Sequence, residues 1–416
     1  MFSNFCHVLN RKIHLWLSVP FGIIITLICF SGAMLIFEPE ITKAVRSDVY
    51  NVAEVKDKPL PMEQLMEAVK KTLPDSVSIT GVTVFNDKSL TYQVNLSKPR
   101  RASVFVDQYS GEITGKYERL GFFTSMFRLH RWLLDSANPH GEGVKVGKLL
   151  VGISTIIFVI ALISGIVIWW PRARKSLKNS LKISFNNGWK GFWKSLHVAG
   201  GMYALIFVLA MALTGLTYSF GWYRSAFYAV CGVEHQPRSI VQAPANGRAD
   251  KERTNRQDGR PGGKDRHGNR LDKDAHDENQ SMRGRGEGRR HSEFGRWQQV
   301  YNQLKAQNPQ APKITVGSET ASVTIASSGN GRAADRYEFN HRTGEITPTT
   351  KYEDSNEADK LRGWIYAVHT GSFGGILTRI LWLIGSLLGA SLPLTGYYIW
   401  IRHLSRKRKA HVSPNT

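Results

Sequence analysis

Two histidines in the chain stand at the same distance from a pair of small residues. His14 and His197 each lie 18 residues before the Gly of such a pair, which is Ser31-Gly32 in one case and Thr214-Gly215 in the other. The neutral imidazole ring is the commonest metal ligand among protein side chains. A repeated segment that carries a histidine at a fixed place therefore indicates a site that binds a metal.

Two further histidines extend this pattern. His130 and His369 lie upstream of two apolar runs, which end in the small pairs Ser164-Gly165 and Thr395-Gly396. The chain is interpreted as two copies of one unit, in which a helix, an outer domain and a second helix follow one another. Each membrane helix then has one histidine near one of its ends.

The elements that must position these histidines are four apolar runs, at residues 15–37, 149–170, 197–220 and 376–401. Each run is long enough to cross a bilayer as a helix. The first run has no small-residue cleavage site before Glu38, which predicts a retained helix and not a cleaved signal peptide. Pro20 is expected to kink or loosen the first turns of this helix.

The formal net charge of +22 is distributed as expected for a membrane protein and does not indicate a nucleic-acid partner. Residues 171–195 contain seven Lys or Arg residues and no acidic residue, and the tail after Ile401 contains five and no acidic residue. Short basic segments beside membrane helices mark the cytoplasmic side. Both termini and residues 171–195 are therefore predicted inside, and the two long polar segments outside.

This topology pairs the histidines by membrane face. His14 and His197 fall at the inner face, whereas His130 and His369 fall at the outer face. Two histidines per face suit bis-histidine ligation of one haem per face, while zinc needs four N or S ligands, or three with water. His140, which is also outside, is the alternative to His130 as an outer ligand.

The two outer segments share an order of elements and a short motif. In each, a helical stretch precedes short runs rich in β-formers, with the helices at residues 62–73 and 294–304. The last run of each segment ends in a matching turn, Ser110-Gly111-Glu112-Ile113-Thr114 and Thr343-Gly344-Glu345-Ile346-Thr347. The position of this match supports the two-unit interpretation.

The turn motif after a helix and a small sheet resembles the end of a PepSY domain. The flanking helices, with Val368-His369-Thr370-Gly371 and Thr395-Gly396-Tyr397-Tyr398-Ile399-Trp400, resemble PepSY-associated transmembrane segments. The resemblance covers nearly the whole chain except residues 238–293. It implies a bacterial inner-membrane protein similar to the iron-regulated di-haem ferrisiderophore reductases.

The resemblance also implies cofactors and partners. Two b-type haems are expected, one held by His14 and His197 and the other by His130 and His369, with these histidines as axial ligands of the iron. The expected electron acceptor is a ferric siderophore in the periplasm. The chain has no Rossmann glycine motif or flavin motif, so the electron donor is expected to be a membrane quinol or another reductase.

The predicted fold class is membrane α-helical, a four-transmembrane-helix bundle of two tandem repeats with two periplasmic α+β PepSY-like domains. The N- and C-termini are predicted to be cytoplasmic. The predicted segments are transmembrane helix 1 (residues 1–38), PepSY-like domain 1 (39–121), an interfacial helix with transmembrane helix 2 (122–171), a cytoplasmic loop (172–195), transmembrane helix 3 (196–222), PepSY-like domain 2 (223–361), transmembrane helix 4 (362–402) and a cytoplasmic tail (403–416).

Residues 238–293 differ from the rest of the chain and are predicted to be a disordered insertion, because they contain almost nothing apolar to bury. The three cysteines, Cys6, Cys29 and Cys231, give no disulfide framework and no CxxC metal site.

Two other functions stay open from the sequence. One is a non-enzymatic, membrane-anchored module that binds or inhibits a partner protein, and the other is a metal or haem transporter.

Overall fold

A computed structural model describes residues 2–99, 101–135, 145–234, 294–325, 329–347 and 350–412. The predicted insertion at 238–293 and the alternative ligand His140 lie outside the described residues. The α-helices are α1 (Phe2–Leu35), α2 (Glu38–Val45), α3 (Ser47–Tyr50), α4 (Met62–Thr72), α5 (Gly121–Trp132), α6 (Val146–Lys175), α7 (Leu177–Ser180), α8 (Gly188–Ser195), α9 (Gly201–Ser219), α10 (Gly221–Val230), α11 (Trp297–Gln307), α12 (Glu357–Thr370) and α13 (Gly375–Val412). A π-helix at Leu196–Gly200 joins α8 to α9, and 3₁₀ turns lie at Tyr352–Asp354 and Ser372–Gly374.

Four helical segments of the described chain are long and apolar enough to cross a membrane. They are Asn10–Leu35, Val146–Lys175, Gly188–Ser219 and Ser372–Ser405. These segments include each of the four apolar runs apart from at most two end residues, so the structure agrees with the prediction of four helices that can cross a membrane. Their assignment to an inner membrane and the placement of the loops stay predictions.

The order of the helices in the bundle places α1 and α9 on a diagonal. Helix α1 packs against α6 and α13, and α9 packs against the same two helices. Ile25 of α1, Phe158 of α6 and Val208 of α9 lie in one buried apolar cluster at the centre. Side chains carried by α1 and α9 can therefore meet across the middle of the bundle, with α6 and α13 as the two walls beside them.

Helices α1 and α13 each contain a proline but remain continuous. Thr26 of α1 donates a hydrogen bond to the carbonyl oxygen of Ala390 in α13 (3.1 Å), and Tyr397 of α13 donates to that of Val19 in α1 (2.5 Å). Pro20 therefore does not end the helix next to His14, and Tyr397 of the neighbouring helix donates to the carbonyl oxygen of the residue just before this proline.

The described strands form one antiparallel sheet. They are β1 (Ile79–Phe85), β2 (Tyr92–Leu96), β3 (Ser103–Val106), β4 (Ile113–Lys116), β5 (Lys313–Gly317), β6 (Thr320–Thr324), β7 (Ala334–Phe339) and β8 (Ile346–Thr347). Their order is β4-β3-β2-β1-β5-β6-β7-β8, which is symmetric about the β1–β5 pair. Helices α4 and α11 contribute Leu65, Met66, Trp297 and Leu304 to a single core on one face of the sheet.

The β1–β5 pairing joins the two predicted outer segments, which the sequence did not indicate. Gly81 pairs with Gly317 at this seam, and a Cβ atom on Gly81 would lie 2.8 Å from the carbonyl oxygen of Val316. Thr83 and Thr315 share a side-chain hydrogen bond of 2.9 Å across the same pair of strands. Pairing removes an unpaired edge from β1 and from β5, which explains why the segments form one sheet.

The two matching turns have the same geometry. Gly111 and Gly344 both have positive φ, at 79° and 72°, in the left-handed region that glycine enters without strain. The hydroxyl of the preceding residue, Ser110 or Thr343, accepts a hydrogen bond from the following Glu backbone N–H at 3.2 Å in each case. The five-residue match therefore corresponds to equivalent turns at the ends of the two halves of the sheet.

Two ion pairs connect the start of α2 to the segment before α5 and to the start of α13. Glu38 forms a bidentate pair with Arg119, just before α5, with distances of 2.5 and 2.6 Å. Glu40 pairs with Arg379 near the start of α13. Bidentate Arg–carboxylate pairs fix orientation as well as distance.

Candidate functional site

The four predicted histidines form two pairs. The ring centres of His14 and His197 are 6.3 Å apart, and the ring planes meet at 83°. The ring centres of His130 and His369 are 6.1 Å apart, and the planes meet at 48°. The structure thus brings together the same pairs that the sequence predicted from topology. We call them the first pair (His14 and His197) and the second pair (His130 and His369).

The two pairs lie far apart along the bundle. His14 is on α1, and the ring of His130 lies against Gly32, which is 18 residues further along the same helix. A helix rises about 1.5 Å per residue, so this separation is roughly 27 Å along the axis. The hydrocarbon core of a bilayer is about 30 Å thick. The pairs therefore have the spacing expected of sites near the two faces of a membrane.

His14 is held by the neighbouring helix α6. Its Nδ1 lies 3.1 Å from the carbonyl oxygen of Ala161 and 2.9 Å from the hydroxyl of Ser164. The Ser164 hydroxyl itself donates to Ala161 at 2.9 Å, so its oxygen is free to accept from the imidazole. The His14 Cε1 atom lies over Gly165, where an added Cβ would be 3.7 Å away.

His197 is held in the same way by α13. Its Nδ1 lies 3.1 Å from the carbonyl oxygen of Leu392 and 2.8 Å from the hydroxyl of Thr395, which donates to Leu392. An added Cβ on Gly396 would be 3.5 Å from its Cε1. His197 belongs to the π-helix, and such single turns widen a helix locally and are frequent at functional sites.

The ring of His130, on α5, rests on α1. Its Nδ1 lies 2.9 Å from the carbonyl oxygen of Ile28. A Cβ added to Gly32 would lie only 2.8 Å from the His130 Cε1 atom, so the ring occupies the space that a side chain would need. Helix α5 corresponds to the predicted interfacial helix before the second membrane helix. It is therefore the element that positions His130.

The ring of His369, on α12, rests on α9. Its Nδ1 lies 3.0 Å from the carbonyl oxygen of Met211 and 3.2 Å from the hydroxyl of Thr214. A Cβ on Gly215 would lie 3.1 Å from its Cε1 atom. Helix α12 ends one residue later at Thr370, and the next residue, Gly371, has a φ of 71° that turns the chain towards the start of α13.

These contacts fix the tautomer of all four rings. A carbonyl oxygen accepts hydrogen bonds and cannot donate them, so the Nδ1 atom that faces it carries the hydrogen. In the neutral ring, the lone pair is then on Nε2. A hydrogen bond from Nδ1–H to a carbonyl oxygen is typical of histidines that ligate a metal through Nε2. This hydrogen bond orients the ring and raises the basicity of Nε2.

The spacing within each pair suits one metal atom between two Nε2 ligands. A metal bound about 2.0 Å from an imidazole nitrogen lies about 3 Å from the ring centre, so two ligands on opposite sides would put the centres about 6 Å apart. The observed separations are 6.3 and 6.1 Å. Among the described residues, no group of three or more His, Cys, Asp or Glu side chains could hold a metal ion.

The second pair lies in surroundings that keep its rings neutral. Burial lowers the pKa of His130, and the adjacent Arg131 lowers it further. Burial lowers the pKa of His369 to about 4, with the positive charge of a protonated His130 as a smaller contribution. Both side chains are half-buried in the structure.

The small-residue pairs of the four apolar runs lie against the four histidines. In the structure, the Gly of each pair is the surface on which a histidine from another helix lies. In three of the four pairs, the Ser or Thr is a hydrogen-bond partner of that histidine, the exception being Ser31. The signal was present in the sequence, because every apolar run has one histidine and one such pair.

A comparison with protein families gives a match over most of the chain. Residues 11–403 match the model of the PepSY-associated TM region. The chain belongs to this family. Comparison with curated proteins gives no match. Membership of the PepSY-associated TM family agrees with four membrane-crossing helices joined to an antiparallel sheet, and both histidine pairs lie within the matched residues.

Proposed function

We propose that this PepSY-associated membrane protein holds two haems and carries electrons across the bacterial inner membrane to a ferric chelate in the periplasm. The proposal rests on one observation, which is that the first and second histidine pairs lie at opposite ends of one helix bundle. In each set, the Nδ1 atoms are anchored to carbonyl oxygens and the ring centres are about 6 Å apart. Two imidazoles would hold a haem at each site, and haem would supply one-electron redox chemistry there.

The residues present fit haem better than zinc. Each set offers two imidazoles and no third protein ligand among the described residues, whereas zinc sites use three or four protein ligands. His14 and His197 would hold the haem near the inner face, and His130 and His369 the one near the outer face. When bound, haem b supplies a one-electron couple whose potential the axial ligands and their surroundings adjust.

The side chains around each pair have roles that follow from their contacts. Ser164 and Thr395 accept a hydrogen bond from the first pair, and Thr214 accepts one from His369, so the rings cannot rotate freely. The carbonyl contacts keep the proton on Nδ1 and leave Nε2 as the ligand. Apolar surroundings would affect the potential of a redox group bound at either site.

The charge of the connecting segments indicates how the protein is oriented in the membrane. The proposed direction of electron transfer follows from that orientation. Residues 171–195 and the tail after Ile401 are basic and lack acids, which favours the cytoplasmic side. A membrane quinol or another reductase would supply electrons at the first pair. A ferric siderophore would accept one electron per iron at the outer face, and the resulting ferrous ion is held more weakly and can be released.

Neither alternative from the sequence is favoured by a specific contact. A membrane-anchored module that binds a partner protein would need no histidines anchored in the same way at both ends of the bundle. A metal or haem transporter would need its ligands to release the cargo, whereas each described ring is fixed by at least one hydrogen bond from Nδ1.

Reduction of a ferric chelate tests the proposed function. The protein would be reconstituted in vesicles that contain a reduced quinol pool, with a ferric siderophore and a ferrous-specific colorimetric chelator outside. We expect ferrous iron to appear at a rate that depends on the protein. A protein that contains haem but reduces no ferric chelate would be an electron carrier with a different acceptor, and the siderophore assignment would be wrong.

The glycines under the histidines give a prediction about the second pair. Gly32→Ala and Gly215→Ala would place a Cβ 2.8 and 3.1 Å from the Cε1 atoms of His130 and His369. These rings must then move, and we expect the haem affinity of this site to fall about 10- to 100-fold, as for other losses of support around a ligand. Titration of the purified variants with haem measures the change.

The equivalent glycines of the first pair are the matched controls. A Cβ on Gly165 or Gly396 would lie 3.7 or 3.5 Å from the nearest imidazole atom, which is ordinary van der Waals contact. Gly165→Ala and Gly396→Ala should therefore retain both haems. Equal losses of haem in all four variants would mean that helix packing, and not the position of each ring, controls binding.

A further inference from the structure

Two buried hydrogen-bond donors near the first pair have no partner among the described residues. They are the indole Nε1 of Trp169 and the hydroxyl of Tyr398. Native proteins rarely leave buried donors unpaired, so each such group calls for an explanation. Trp169 lies on α6, four residues after Gly165, and Tyr398 lies on α13, three residues after Thr395.

Each donor follows, on the same helix, the residue that anchors one histidine of the first pair. Helices α6 and α13 hold the Nδ1 atoms of His14 and His197, and each donor lies about one helical turn beyond its anchor. The two helices are the walls on either side of the diagonal along which the histidines meet. A ligand between the histidines would therefore have one donor on each wall.

Anchoring in the lipid headgroups does not explain why the indole nitrogen of Trp169 is buried. Tryptophan in an interfacial belt directs its N–H to water and headgroups, but the Nε1 atom of Trp169 is buried inside the protein. Its neighbour Trp170 is 57% exposed and has the position expected of a belt residue. The two adjacent tryptophans thus have different surroundings.

A positive charge adjoins the second donor. The guanidinium of Arg402 lies 5.2 Å from the centre of the Tyr398 ring. Arg402 is exposed and takes part in none of the ion pairs formed by the described residues. An N–H donor, an O–H donor and a guanidinium together favour an anionic oxygen acceptor, such as the carboxylate group that Arg binds through two parallel hydrogen bonds.

We propose that Trp169, Tyr398 and Arg402 form a carboxylate-binding subsite for the ligand held by His14 and His197. The inference rests on the proposed function, because haem b is a ligand of that kind and carries two carboxylates at one edge. Trp169 and Tyr398 would each donate one hydrogen bond to a carboxylate oxygen, and Arg402 would neutralise the charge. A quinone headgroup also offers oxygen acceptors but has no charge for Arg402 to balance.

The test uses variants that remove one donor and keep the ring. Trp169→Phe and Tyr398→Phe would be made in a His130→Ala background, where the first pair is the remaining haem site, and haem loss to an excess of an apoprotein acceptor would be followed. We expect each variant to lose haem about tenfold faster, since a hydrogen bond to a charged group is strong. Arg402→Gln should also accelerate the loss, and Trp170→Phe is the matched control that should not.

Haem dimethyl ester, which lacks the carboxylates, identifies the group that is bound. In the His130→Ala protein the ester should be lost faster than haem, whereas in the Trp169→Phe/Tyr398→Phe variant the two should be lost at similar rates. Loss rates equal to that of Trp170→Phe would overturn the inference, as would an effect confined to the KM for quinol. A protein that binds no haem before any substitution would refute the proposed function as well, so the two failures are distinct.

Discussion

Replacement of His14 or His197 by alanine is expected to abolish haem binding near the inner face and leave the second site filled. Under the proposed function, each ring would supply one of the two protein ligands of this haem, and the opposite ring, whose centre is 6.3 Å away, would remain as a single ligand. The haem content should fall from two to about one per chain. Because the ligands act as a unit, the double variant should lose no more haem than either single variant.

His403 provides the control for this prediction. It is an exposed histidine near the end of α13, so His403→Ala should keep both haems and the full rate of reduction. Full haem content in His14→Ala or in His197→Ala would show that the first pair does not ligate haem. A haem titration with a reduced absorption spectrum is sufficient for the measurement.

Replacement of His130 or His369 by alanine is expected to stop reduction of an external ferric chelate. This pair is predicted to be the site nearer the acceptor, and its rings are fixed by Ile28 and Met211 on α1 and α9. The haem of the first pair should stay in place and should still be reduced by a quinol. Chelate reduction and stopped-flow reduction of the remaining haem, measured in the same preparation, separate the two effects.

Two other histidines test this assignment. His341→Ala changes an exposed histidine in the turn before β8 and should have no effect on haem or on reduction. His140→Ala tests the alternative outer ligand. If His140→Ala empties the second site while His130→Ala does not, the pairing of His130 with His369 is not the ligand set, and the packing of His130 on Gly32 has another purpose.

The pairing of the histidines could be predicted because it depends on topology and not on packing detail. The charges around residues 171–195 set the direction of each helix, and that direction puts His14 with His197 and His130 with His369. The [ST]-Gly pairs were visible as a repeat. Their contact with a histidine from another helix was not, because the order of helices around a bundle is decided by three-dimensional packing.

The donors near the first pair were beyond sequence reasoning for a similar reason. Trp169 and Trp170 are adjacent tryptophans at one helix end, a position at which tryptophan commonly anchors a helix in the membrane interface. Their difference appears only when neighbouring helices cover the indole nitrogen of Trp169 and leave Trp170 exposed. Tyr398 was noted only as part of the family motif around Thr395.

The sheet illustrates what a repeat does and does not predict. The strands of both outer segments, the helices before them and the two matching turns follow from alternating apolar residues and from Gly111 and Gly344. The pairing of β1 with β5 does not, because it is a long-range contact between residues more than 200 positions apart. It depends on Gly81 and Gly317 facing each other, which no local pattern indicates.

The measurement that tests the central claim most directly is the haem content and reduced absorption spectrum of the purified wild-type protein. If each histidine pair ligates one iron, the protein will contain two haems per chain, both six-coordinate with two imidazoles, and both will give the spectrum of bis-histidine haem b. A protein that binds no haem would contradict the claim. So would a haem content that stays at two per chain when His14 and His130 are both replaced by alanine.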